Sequence, residues 1–234
     1  SYHLLLGSDH LFTMWGRRFK WTSEAYYKKL DCLVPYLYDN IRIRYYAQNS
    51  SKGYAWGIDN RVNGEFIEGL ESWFTLSVLQ TKEQITYVNN AGETTVSDYL
   101  RRPSDRRVNF AVVFQDELPN DPSSRVNMSF TVGSAVPYYL NREFRYSQNP
   151  FTLSPYRRLD IGFSKVFIGP ESKYKPKGIL KGIGKAWVSL EVFNLANFQN
   201  TISYQWVKDL NNNIFGVPEY LTSRRLNIRL HIEI

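Results

Sequence analysis

The clearest regularity lies at the C-terminal end, where Leu226, Ile228, Leu230, Ile232 and Ile234 alternate with Arg225, Asn227, Arg229, His231 and Glu233. Successive side chains of an extended chain point to opposite faces, so a period of two predicts a strand with one apolar and one polar face. The pattern returns at Val108, Phe110, Val112 and Phe114, at Val126, Met128, Phe130 and Val132, at Leu159, Ile161 and Phe163, and at Val188, Leu190 and Val192. Weaker copies run from Phe19 to Tyr27, Tyr54 to Val62 and Phe74 to Val78, after an opening strand near Tyr2 to Leu11. The sum is about nine strands and no amphipathic helix, an all-β chain.

The connections between these strands alternate in length. Short turns are expected near Phe12 to Gly16, Gly64 to Gly69 and Leu118 to Ser123, the last carrying Pro119, Asn120, Asp121 and Pro122. Long connections are expected from Lys28 to Lys52, Thr81 to Asp105, Gly133 to Ser154 and Asn194 to Thr222, while Gly169 to Lys185 breaks the rule on the short side. An antiparallel meander with short turns at one end and long loops at the other is the plan of an outer-membrane barrel. A Greek-key sandwich gives no reason for such alternation.

Aromatic residues follow the same division. Phe12, Trp15, Phe66, Trp73, Phe114, Phe167 and Trp187 lie next to the short turns, and Tyr26, Tyr27, Tyr54, Trp56, Tyr138, Tyr139 and Tyr156 next to the long loops. Strands are rich in Tyr and Trp in any protein. Their position, more than their number, suggests two interfacial belts around an aliphatic band.

Three strands open alike, with Arg106-Arg107-Val108-Asn109, Arg157-Arg158-Leu159-Asp160 and Arg224-Arg225-Leu226-Asn227. Parity puts Arg107, Arg158 and Arg225 on the polar face with Asn109, Asp160 and Asn227. The same parity puts Arg106, Arg157 and Arg224 on the apolar face, where an arginine is tolerable beside lipid headgroups and their phosphates. Asp59, Asn127, Glu191 and Arg229 join the polar face, which would line a lumen. Tyr36, Tyr38, Tyr45, Tyr46, Tyr204 and Trp206 fall in the long loops and offer stacking surfaces for recognition.

Composition narrows the field further. The chain has 234 residues, 43% hydrophobic and 16% aromatic, with 29 Lys and Arg against 22 Asp and Glu, a net charge of +7. That content argues against disorder, and the single Cys32 excludes a disulfide-stapled fold. No apolar run reaches the roughly 18 residues of a spanning helix. No leader is visible after Ser1, so the chain reads as cytosolic or as the remainder of something longer. His3, His10 and His231 have no ligand-like spacing, and no metal or other cofactor is expected. Gly182-Ile183-Gly184-Lys185 lacks the other elements of a phosphate loop, Gly162-Phe163-Ser164-Lys165-Val166 lacks the last glycine of a nucleophile elbow, and Asp116 and Glu117 point to opposite faces. No enzyme is indicated. The lysines at 173, 175, 177, 181 and 185 read as a solvated turn. Acids on the polar faces, Asp59, Asp160, Glu191 and Glu233, argue against nucleic acid as a partner.

These segments resemble the C-terminal barrel region of TonB-dependent outer-membrane receptors, particularly the kind common in Bacteroidota. Val192-Phe193-Asn194-Leu195-Ala196-Asn197 is similar to the family's Asn-Leu motif before its last long loop, and Thr222-Ser223-Arg224-Arg225 to its closing segment. Lys52-Gly53-Tyr54-Ala55-Trp56-Gly57-Ile58-Asp59 is similar to a family strand opening, and Gly69-Leu70-Glu71-Ser72-Trp73 to a turn before a Trp-led strand. The resemblance implies part of a large antiparallel barrel in the outer membrane, in contact with lipid and lipopolysaccharide. It also implies that the plug, the N-terminal strands and the TonB-contact segment lie in the rest of a receptor chain. Such a parent takes up a scarce nutrient (a metal chelate, cobalamin, a glycan or a peptide) with energy delivered by TonB, in some cases beside a surface lipoprotein or a larger outer-membrane complex. The alternative is a structural barrel subunit of an assembly or secretion complex. On either reading the chain is not expected to close a barrel by itself, since plugged transporters have about 22 strands.

Overall fold

The computed structural model describes residues 1–39, 42–67, 70–89, 91–118, 121–139, 150–170, 172, 174 and 178–234. Of the expected turn residues, Gly69, Pro119 and Asn120 lie outside the described set, as do the lysines at 173, 175 and 177. The chain runs through β1 (Tyr2–Met14), β2 (Arg17–Leu33), β3 (Tyr36–Asp39), β4 (Arg42–Tyr45), β5 (Ser51–Ile67), β6 (Leu70–Val88), β7 (Thr94–Val96), β8 (Leu100–Arg101) and β9 (Val108–Leu118). It continues through β10 (Asp121–Gly133), β11 (Pro137–Tyr138), β12 (Phe151–Thr152), β13 (Tyr156–Ile168), β14 (Lys185–Phe193), β15 (Thr201–Lys208), β16 (Ile214–Tyr220) and β17 (Arg225–Glu233). A 3₁₀ turn at Gly178–Gly182 precedes β14.

Nearest-neighbour pairing builds one sheet in the order β1-β2-β5-β6-β9-β10-β13-β14-β17, with β7 and β8 added beside β6, and every pairing in it is antiparallel. The strand total exceeds the nine expected. The surplus lies in the long connections, which carry β3–β4, β7–β8, β11–β12 and β15–β16. These short strands pair locally and carry little alternation, so their period is invisible in sequence. The long strands also outrun their predicted limits: β6 continues to Val88 through Thr81, Lys82, Glu83 and Gln84, whose polarity hides it.

The register keeps the two faces separate across the sheet. Leu159, Phe130, Val112, Phe74, Val62 and Trp21 lie in one cross-strand row, and Val108, Val78, Ile58, Ala25 and Leu6 in another on the same face. Slipping any strand by one residue would exchange its faces, so the alternation itself fixes the register. Between β1 and β2 the turn is Trp15-Gly16, with φ of 55° and 73°. Two successive positive φ values make the primed hairpin turn that suits strand twist, and Gly16 takes its value without strain.

Burial is concentrated at the ends of the sheet. Phe19, 1% exposed, packs against Phe12 and Phe66 at the short-turn end, with ring centroids 5.5 and 5.0 Å away. Ile85, Leu100, Glu83 and Asp105 are buried at the long-loop end. Between the ends the apolar face is open: Ile58, Leu76, Met128, Ile161, Phe163 and Leu190 are each 37 to 42% exposed although they sit on strands paired on both sides. β1 and β17 do not pair with each other, so each is an edge of the described sheet.

Candidate functional site

The polar face is assembled by the same register. Asn127, Gly162, Glu191 and Asn227 stand in one row across β10, β13, β14 and β17, and Asp59, Ser77 and Asn109 in another across β5, β6 and β9. Arg158, Asp160, Arg225 and Arg229 lie on this face by the same parity. Arg158 Nε donates to both Asp160 oxygens at 2.8 Å, and its guanidinium lies 5.4 Å over the Phe193 ring. Asp160 also accepts the backbone N–H of Asn194 at 2.8 Å, which ties the last long connection to β13. Glu191 accepts Asn227 Nδ2 at 2.8 Å and has Arg229 at 4.0 Å. Toward the short turns these residues border a cavity of about 340 Å³ lined by Gln115, Arg125, Asn127, Lys185, Trp187 and Glu191, among others. The Arg158–Asp160 ion pair and the Glu191–Asn227 hydrogen bond make this face a polar wall.

Two tryptophans assigned to the belts belong to this wall. Trp73 pairs in register with Asn63 and carries Arg61 5.3 Å over its ring, and Trp187 stacks on His231 at 5.4 Å, opposite Val166. At the short-turn end Phe12, Trp15, Phe19 and Phe66 form one aromatic cluster, with Phe74 next to Phe66 at 6.0 Å and Phe114 on the apolar face opposite Met128.

The second set of arginines divides. Arg157 stands opposite Val132 on the apolar face and is exposed. Arg224 precedes β17, is exposed, and has its backbone N–H on Asn197 Oδ1 at 3.0 Å. Arg106 lies elsewhere. β9 begins at Val108, and the preceding backbone is a turn in which the N–H groups of Asp105 and Arg106 reach the carbonyls of Arg102 and Ser104 at 2.8 Å. Strand parity does not extend through a turn, and the Arg106 guanidinium lies 5.5 Å over the ring of Tyr156, a polar-face residue paired with Gly133. A Cβ at Gly133 would come within 2.6 Å of Arg106 Nη1, so only glycine leaves the guanidinium its place. The expected common outward level of Arg106, Arg157 and Arg224 thus fails at Arg106.

Arg107 is held beside it by Asp105, a fully buried carboxylate that sequence reading passed over. Asp105 accepts the backbone N–H of Thr81 at 2.8 Å, Arg101 Nε at 2.6 Å and Arg107 Nε at 2.9 Å. Glu83, also buried, accepts Ser51 Oγ at 2.9 Å and lies 3.5 Å from Arg102 Nε. Together they pin the connection between β6 and β9 onto the top of the sheet. The only signal in sequence was the density of arginines at 101, 102, 106 and 107 next to Asp105.

The loop aromatics form two groups. Tyr36 meets Tyr38 and Tyr45 at 5.9 and 6.0 Å on the β3–β4 hairpin, with Arg102 5.7 Å over the Tyr36 ring, and the backbone N–H of Tyr46 closes this hairpin on the Pro35 carbonyl at 3.0 Å. Tyr204 meets Trp206 on the β15–β16 hairpin and Tyr138 from the preceding long connection, each at 6.0 Å. Burial pushes the Tyr38 phenol above its usual range, and Arg106 opposes that shift.

Fold and faces define an all-β antiparallel meander with one apolar and one polar surface. The protein-family models, the curated proteins and the solved structures compared with the chain give no match.

Proposed function

We propose that this chain is the C-terminal portion of the barrel of a TonB-dependent outer-membrane receptor, a multi-pass β-barrel whose parent takes up a scarce nutrient. The observation that carries the reading is the open apolar face in the middle of the sheet, with Met128, Ile161, Phe163 and Leu190 on strands that are paired on both sides. Removing one such side chain from water is worth about 1.5–3 kcal/mol when burial is complete, and a bilayer core removes a whole row at once. Short turns at one end and long connections at the other support the same orientation, with the loops outward. Arg157 and Arg224 then stand where lipopolysaccharide phosphates would meet them, and the polar wall faces the lumen, where the remainder of the receptor would pack. TonB would engage the parent through its N-terminal segment.

The test is expression of the complete natural gene product, followed by density-gradient separation of inner and outer membranes and uptake assays with and without TonB. The reading expects the protein in the outer-membrane fraction and a nutrient-limited growth defect that loss of TonB reproduces. Recovery in the aqueous fraction would refute it. An outer-membrane protein indifferent to TonB would instead favour a structural barrel subunit.

A further inference from the structure

At the long-loop end, the turn that diverts Arg106 also gives it a cavity. A space of about 350 Å³ is bounded by Arg106, Tyr38, Tyr156, Val136, Leu153 and Leu221, with further apolar and hydroxyl-bearing neighbours. Among the described residues no carboxylate lines it, because Asp105 turns its own carboxylate toward Thr81, Arg101 and Arg107. Arg106 is held through its face, over the Tyr156 ring, an arrangement that leaves the in-plane N–H donors of a guanidinium available. Among the described residues none of those donors meets an acceptor. The wall behind is braced by Asn200, 5% exposed, whose side chain accepts the backbone N–H of Arg157 and donates to its carbonyl, both at 2.8 Å.

We propose that this cavity binds a small organic anion, a planar or apolar body carrying one carboxylate, with the carboxylate on the Arg106 guanidinium and the body against Val136, Leu153 and Leu221. Three features favour that class. The lining is mainly apolar with one fixed cation, the usual makeup of a small-molecule site. A guanidinium matches a carboxylate with two parallel N–H···O bonds. Gly133 keeps the guanidinium's place open, and any larger residue there would displace it. The inference deepens the receptor reading and rests on it only in taking the long-loop end as the outward-facing one.

The purified chain in detergent is titrated with 2-naphthoate and, in parallel, with its neutral counterpart 2-naphthylmethanol, following ligand signals by NMR against protein-free micelles. The expected result is naphthoate binding at least about tenfold tighter than the alcohol. R106Q should abolish that preference, R106K should restore part of it, and G133V, which keeps the arginine but displaces its guanidinium, should weaken naphthoate alone. S154W, which fills the cavity without touching the charge, should exclude both compounds, and unchanged binding of the alcohol by R106Q shows that the arginine variant keeps a folded cavity. Inorganic phosphate should compete weakly, since it lacks the apolar body; displacement of naphthoate by phosphate at equal concentration would reduce the site to a plain anion site and overturn the proposal. Equal affinity for the two naphthyl compounds, no binding of either to a folded chain, or naphthoate affinity unchanged in R106Q would overturn it as well. A chain that binds naphthoate in this manner but fractionates away from the outer membrane would overturn the receptor reading and leave the anion site standing.

Discussion

Replacing Asp105 by alanine should loosen the connection between β6 and β9 while sparing the sheet beneath it. Asp105 is fully buried and takes three donors, the Thr81 amide at 2.8 Å, Arg101 Nε at 2.6 Å and Arg107 Nε at 2.9 Å. The two arginine side chains, 25% and 37% exposed, can turn to water when the carboxylate is lost, so each contributes only about 0.5 kcal/mol, in the range of a solvent-exposed ion pair. The Thr81 amide cannot, since Thr81 is 4% exposed, and an unpaired buried donor costs about 1–3 kcal/mol. The combined effect is about 3 kcal/mol, a hundredfold or so in the opening equilibrium of this connection at about 1.4 kcal/mol per factor of ten. Amide hydrogen exchange reads it directly at Thr81 and at Arg102, whose N–H is bonded to the Thr81 carbonyl at 3.3 Å. D105N keeps an acceptor for Thr81 and should recover about half of the lost protection. Exchange at Thr81 within threefold of the wild-type rate in D105A would show that the carboxylate does not hold the connection down.

Three further outcomes follow from local geometry. G64A would place a Cβ 2.2 Å from Phe19 Cδ1, and because that ring is almost fully buried between Phe12 and Phe66 the denaturation midpoint in detergent should fall by the equivalent of about 1–3 kcal/mol; an unchanged or raised midpoint would contradict the packing. N200A removes both bonds to the Arg157 backbone, and exchange of the Arg157 amide should accelerate at least about fivefold, a change of roughly 1 kcal/mol, with no change at Phe130 in mid-sheet. The Asp209 carboxylate is held below its usual pKa, first by the Asn213 side chain and then by the backbone N–H groups of Asn213 and Asn211. A depressed folded-state pKa stabilises the β15–β16 hairpin tip above the unfolded value, so the tip should be ordered above about pH 4 and lose that contribution as pH falls through the depressed folded value; NMR titration of the Asn211 and Asn213 amides in D209N should lose the acid transition.

The meander was legible because nine strands each keep one apolar face, and a two-residue period survives in sequence wherever one face is consistently apolar. Lys165 shows the limit of that signal. It occupies an apolar-face position opposite Ser124 and Val188, yet its Nζ is bonded to Asp121, Ser123 and Ser124 at 2.5–2.9 Å at the short-turn end. Parity places a Cβ, while a long side chain chooses its own end point. Arg106 departs from parity for the complementary reason: the extended backbone begins only at Val108, and Arg106 lies in the turn before it. The arginines flanking Asp105 signal a local charge cluster, but its burial was not legible, because Asp105 takes the backbone donor of Thr81, 24 residues away, and Glu83 takes the hydroxyl of Ser51, 32 residues away, separations that no local period encodes. The pairing of Tyr138 with Tyr204, 66 residues apart, belongs to the same class.

The claim that the apolar face meets lipid is tested most directly on β13, a strand paired on both sides. With Cys32 replaced by serine, single nitroxide labels are placed in turn at positions 158 to 164 and the chain is reconstituted in bilayers. Collision rates are then measured with oxygen, which concentrates in the hydrocarbon, and with a water-soluble nickel chelate. A period of two is expected, with oxygen dominant at Leu159, Ile161 and Phe163 and the chelate dominant at Arg158, Asp160, Gly162 and Ser164. Chelate access at Leu159, Ile161 and Phe163 equal to that at their neighbours would contradict it.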